Sequence, residues 1–160
     1  MLTGIAHGRT GVAALRLPGV SDVRSRCVHH AREQFGPHGH SMNSALMFVR
    51  DHLEAWSLRD KLAVVSTVTT VFAENALSYT RSGFEIRLQG TTGEVVVAVS
   101  DASPSLAVLR ERPLGSCPGG LDIVSALCQR WGNTLTSTGK TVWARVGADD
   151  TFAGITRLLQ

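Results

Sequence analysis

The hydrophobic pattern changes period sharply between Ser78 and Phe84. From Ser41 onward Leu46, Val49, Leu53 and Trp56 recur at intervals of three and four, and from Leu58 to Ser78 the residues Leu62, Val65, Thr69, Phe72, Ala76 and Tyr79 share one helical face. Stripes at this spacing mark amphipathic helices packed on a core. Phe84, Ile86 and Leu88 then alternate with Glu85, Arg87 and Gln89, which is the period of a strand. "GTTG" supplies a turn, and "EVVVAVS" returns as a more fully buried strand. The β-branched run "STVTTV" favours a strand by composition. The longer period outweighs it, because the run is too long for one strand.

Between Asp101 and Gly119 lies an aperiodic stretch, and loops of that length in compact domains are typically lids or binding loops. Leu121, Val124, Leu127 and Trp131 predict a third core helix closed by Gly132, and "NTLTST" and "TVWARV" predict a hairpin about Gly139-Lys140. This order of elements implies an α+β fold, a two-layer sandwich of helices on one face of a mostly antiparallel sheet. The sandwich domain is expected over residues 41–147. Residues 1–40 read as an N-terminal extension, with a strand at "VAALRLP" and a helix that starts near Ser21 and Asp22. Val23, Cys27, Ala31 and Phe35 carry that helix to about Phe35, where "GPHGH" breaks it. Residues 148–160 read as a tail, with "DDTFAGITRLL" compatible with a short helix.

Bulk properties narrow the function classes. A chain of 160 residues is sized for about one domain, and 43% hydrophobic with 18% charged residues suits a folded globular protein. The net charge of +3 is spread over single basic residues, which gives no patch for nucleic acid. No apolar run reaches the length of a membrane span, and the N-terminus lacks the apolar core of a signal peptide. Cys27, Cys117 and Cys128 are odd in number and unpatterned, which suits a reducing compartment. A cytoplasmic protein is expected. His29, His30, His38 and His40 have no Cys partner or carboxylate pattern, so an exposed loop is expected there rather than a zinc site.

Four motifs fall in a fixed order along the chain: "ENAL" on the second core helix, "VAVSDASPSLAVL" leaving a strand, "GGLDIV" opening a helix that "RWG" closes, and "GKTVWARV" as the last hairpin. In this order, over about Asn43 to Val146, the chain resembles the small GHKL-type ATP-binding proteins of actinobacteria. These are relatives of the anti-sigma-factor serine kinases and of the histidine-kinase ATPase domain. The resemblance implies a Bergerat-type fold that binds ATP or ADP with Mg²⁺. Asn75 would then hold the metal, as an amide oxygen suits a hard cation. Asp101 would accept a hydrogen bond from the adenine amino group. Gly119 and Gly120, with Leu121 behind them, would bring backbone N–H groups to the phosphates, and Thr141 would help close the adenine pocket.

The chain departs from the family pattern where the kinases carry a glutamate four residues before the asparagine. Val71 stands there, and an alkyl group can neither accept nor orient a proton. Glu74 lies about 100° around the helix from Asn75 and is expected to point beside the site. Pro118 removes one N–H donor from the glycine-rich turn. The resemblance therefore implies a regulatory nucleotide-binding protein that switches partners, with kinase chemistry compromised. The partners implied are a sigma factor, an anti-sigma-factor antagonist of the STAS type, or a second copy of this chain. In that scheme nucleotide occupancy orders the loop from Ala102 to Pro118. The alternatives are an active serine kinase acting on the antagonist, and a nucleotide-free interaction module.

Overall fold

Helix α1, Ser41–Ala55, and helix α2, Leu62–Tyr79, form where the three-to-four spacing predicts them. The structure, a computed structural model, describes residues 29–147. The strand and helix expected before His29 and the helix expected after Gly147 lie outside the described residues. Ala45, Phe48, Val49 and Leu53 form the buried stripe of α1, and Val65, Val68, Thr69, Phe72 and Ala76 that of α2. The threonines of "STVTTV" fit a helix partly because Thr67 and Thr70 donate their hydroxyls to the carbonyls of Ala63 and Ser66, one turn back. The end of α1 is a Schellman turn. Leu58 N–H donates to Leu53 O at 2.8 Å and Ser57 N–H to Glu54 O at 3.1 Å, with Ser57 in the left-handed region at φ 59°.

Five strands form one antiparallel sheet in the order β1-β2-β3-β5-β4. They are β1, His29–Phe35; β2, Phe84–Thr91; β3, Glu94–Asp101; β4, Arg130–Thr136; and β5, Gly139–Val146. Ile86, Leu88, Val95, Val97, Val99, Val142, Ala144 and Val146 point to one face and share a core with the helices. Val96, Ala98 and Trp143 cluster on the other face. The third helix, α3, Gly120–Leu127, packs on the same core through Val124 and Leu127. The result is the expected α+β arrangement, with helices layered on one face of the sheet.

Three local expectations are corrected. His29–Phe35 is a strand paired along its full length with β2, not the end of a helix, so the sheet begins before residue 41. A spacing of four, as from Ala31 to Phe35, satisfies period two as well as a helical period. The open hydrogen-bonding edge of β2 decides between them. Phe35 is then stacked on Phe84 and edge-on to Phe48, with centroids 5.5 and 5.9 Å apart.

The same ambiguity misplaces the end of α3. The helix stops at Leu127, Cys128 is extended, and Trp131 belongs to β4, where its indole N–H donates to Ser125 Oγ at 2.7 Å. Gly132 lies inside that strand against the Trp143 ring and does not close a helix. The hairpin turns at Ser137-Thr138, because Thr136 pairs with Gly139 and Lys140 already lies within β5.

Candidate functional site

The C-terminal half of α2, the N-terminus of α3 and the loop between β3 and α3 enclose an open cavity of about 550 Å³. Val71, Glu74 and Asn75 of α2 line it from one side, Gly119, Gly120 and Leu121 from the other, and loop residues 105–110 with Arg112 cover it. Val71 and Asn75 are one helical turn apart, so both reach the same wall. Glu74, expected beside the site, lines the cavity too, with its side chain on the exposed side.

Gly120 is in close contact with Val71. A Cβ at residue 120 would stand 2.8 Å from Val71 Cγ1. At Gly119 a Cβ would fall 2.4 Å from the Arg112 guanidinium, so the start of α3 presents bare backbone beneath an arginine. The Gly119 N–H donates to Asp122 Oδ2 at 2.6 Å, and Arg112 Nε lies 3.4 Å from the same oxygen. Asp122 is thus an acidic cap on its own helix, favourable next to the positive end of the helix dipole.

The covering loop has no regular element but is anchored. Asn133 of β4 accepts from Ala107 N–H at 3.0 Å and donates to Ala107 O at 3.1 Å, which copies a backbone pairing with one side chain. Ala107 is buried, whereas its neighbours Leu106, Val108 and Leu109 are exposed. Arg110 reaches Tyr79 Oη at 3.5 Å.

Asp101 and Thr141 are not part of this cavity. Asp101 and Lys140 are Cα partners across β3 and β5, and both point to the helix face, where they form a buried ion pair with N–O distances of 2.9 and 3.0 Å. Their side chains are 2% and 0% exposed. Asp101 Oδ1 also accepts from Ser103 N–H at 2.7 Å, and Lys140 Nζ sits 5.7 Å from the centre of the Tyr79 ring. Thr141 projects from the opposite face, its hydroxyl 2.7 Å from that of Ser100.

Of the six residues expected at a nucleotide, the structure therefore brings Asn75, Gly119, Gly120 and Leu121 to the cavity but not Asp101 or Thr141. Lys140 was not expected there, although alternation in "GKTVWARV" places it on the face of Val142, Ala144 and Val146. Asp122 carried a signal as an acid three residues after the helix cap. Arg110, Arg112 and Asn133 carried none, since their roles depend on how an aperiodic loop is laid down.

The residues present fit the phosphate and metal end of a nucleotide. The cavity is of ligand size, Asn75 lines it, and the glycines leave backbone exposed at a helix N-terminus. The two contacts expected for adenine are not at the cavity, because Asp101 is paired with Lys140 and Thr141 projects from the opposite face of the sheet. Among the described residues no group of three or more His, Cys, Asp or Glu could hold a metal, and His29 is stacked on Trp56. No described helix is long and apolar enough to cross a membrane.

Fold and site together define an α+β domain with helices on one face of a five-stranded antiparallel sheet and a polar cavity between two helices and a long loop. No protein-family model matches the chain, and a search of curated proteins finds no match.

Proposed function

We propose that the chain is a Bergerat-type domain that binds ATP or ADP with Mg²⁺ and uses nucleotide occupancy to switch protein partners. The observation that carries this reading is the meeting, across one cavity, of Asn75 with the side-chain-free backbone of Gly119 and Gly120. The Asn75 amide oxygen would be the one protein ligand to a Mg²⁺ whose other ligands are phosphates and waters. The Gly119 N–H, which donates to Asp122, would turn to phosphate, and Arg112 and Arg110 would add positive charge from the loop.

The loop supports the switching half of the proposal. Residues Leu106, Val108 and Leu109 line the cavity and are also exposed to solvent, so a ligand that moves this segment changes an apolar surface. A sigma factor, a STAS-type antagonist or a second copy of the chain would read that surface.

Isothermal titration with ATP, with and without Mg²⁺, tests the reading. Saturable Mg²⁺-dependent binding that Asn75→Ala weakens by about tenfold or more is expected. No heat up to about 1 mM ATP, with an unchanged melting temperature, would overturn it.

A second reading, a serine kinase acting on an antagonist protein, is favoured by Glu74, which puts a carboxylate at the cavity although Val71 holds the usual base position. Positioning and metal electrostatics account for much of phosphoryl transfer, so a displaced base need not abolish it. Transfer of labelled phosphate to a STAS-type protein, lost in Glu74→Gln, would support this reading. No transfer at high protein concentration would reject it.

A further inference from the structure

The face of the sheet turned away from the helices carries an apolar patch that is shut off from water. Val96, Ala98 and Trp143 form it and are 3%, 2% and 5% exposed. Their neighbours in the sheet do not account for that burial of an indole. Opposite Trp143 stand Ala98 on β3 and Gly132 on β4, too small to wall a ring, and a Cβ on Gly132 would lie 3.0 Å from Trp143 Cζ2. Along β5 the next residues on this face are Thr141, bonded to Ser100, and Arg145, held by both carboxylate oxygens of Glu94 at 2.9 Å. Arg145 Nε is itself buried without a hydrogen-bond partner, a second sign of a covered face. The helices share the core of the other face, so no described element supplies the cover.

The chain has a suitable segment beside the patch. The strand that carries Trp143 ends at Val146, and residues 148–160 follow it. Phe152, Ile155 and Leu159 are spaced by three and four, an apolar stripe at helical period. Such a stripe rises about 10 Å, which fits within the roughly 13 Å from Thr141 to Arg145 along β5. Asp149 and Asp150 open the segment, and Arg130 and Arg145 stand opposite each other at the end of the sheet where β5 leaves it. Residues 1–28 instead lead into β1, which β2 and β3 separate from β5.

We propose that residues 148–160 dock on this face, with Phe152, Ile155 and Leu159 laid over Val96, Ala98 and Trp143. Burial of apolar area on both sides drives the contact. The occupant of the face is then the C-terminal segment of the same chain, and a protein partner reaches this surface only by displacing it.

Nuclear Overhauser contacts of the Trp143 indole in the full wild-type chain test the proposal. Contacts to Phe152, Ile155 or Leu159 of the same chain are expected. Contacts to residues 1–28 instead, contacts seen only between labelled and unlabelled copies, or no contact to residues 148–160 would each overturn it. Phe152→Asp gives a second readout, because a buried charge releases the segment: acrylamide quenching of tryptophan emission should rise by about twofold. The rise should vanish when Trp143→Phe is added. Quenching unchanged by Phe152→Asp would also overturn the proposal.

Discussion

Val71 and Gly120 meet where α2 passes the start of α3, and the space between them is too small for one more carbon: a Cβ on Gly120 would lie 2.8 Å from Val71 Cγ1. The residue standing where the family resemblance implies a catalytic base is therefore also a packing partner of the glycine that opens α3. Its alkyl branch sets how close the two helices come, so the departure from the kinase pattern has a structural consequence as well as a chemical one.

Gly120→Ala should push α3 away from α2 and cost about 1–3 kcal/mol of stability. Combining it with Val71→Ala restores room for the methyl group, so the double variant should be more stable than the sum of the two single effects. Urea unfolding of all four proteins measures the coupling. Additive effects would mean that the contact does not constrain the helices.

The buried pair predicts an asymmetry between single and double replacement. Lys140→Met leaves the Asp101 carboxylate buried without its cation and should cost about 3–5 kcal/mol. Adding Asp101→Asn removes that charge while keeping an acceptor for Ser103 N–H, and should recover most of the loss. Chemical denaturation of the single and double variants decides it. Equal instability of both would show that Lys140 contributes by packing alone.

Asn133→Ala removes both hydrogen bonds that hold the loop at Ala107, a loss of about 1–3 kcal/mol. The same change should free the loop backbone and so open the bond after Arg110 to trypsin, whereas the bond after Arg112 precedes Pro113 and stays uncut. Faster cleavage within the loop, read by mass spectrometry against the wild type, is the expected result. Unchanged cleavage would place the anchor elsewhere.

Ser57→Gly should stabilise the chain by up to about 1 kcal/mol. Ser57 holds the left-handed position of the Schellman turn at φ 59°, where a side chain is strained and glycine is not. Part of the gain is offset by the greater freedom of glycine in the unfolded chain. The melting temperature should rise, and a fall would show that the serine side chain has a compensating role.

Much of the candidate site was legible because it sits on regular elements. Asn75 could be placed beside Val71 by helical spacing, and Gly119-Gly120 at the start of α3 by the onset of an apolar stripe. Asp101 was rightly located at a strand end, but its partner was not found. Alternation puts Lys140 on the face of Val142 and Ala144, but it does not say what a charged residue would meet there. Only the register of β5 against β3 puts its ammonium group onto the carboxylate.

The one-dimensional pattern determined the two long helices, the β2–β3 hairpin and the α+β layering, because each of these follows from a repeat that local backbone geometry enforces. Tertiary structure alone decided His29–Phe35, the end of α3 and the course of the loop. A spacing of four fits both helix and strand, so the unpaired edges of β2 and β5 settled what Phe35 and Trp131 became. The loop has no period at all, and its path is set by Asn133 at Ala107 and Arg112 at Asp122, contacts between residues 26 and 10 positions apart in sequence.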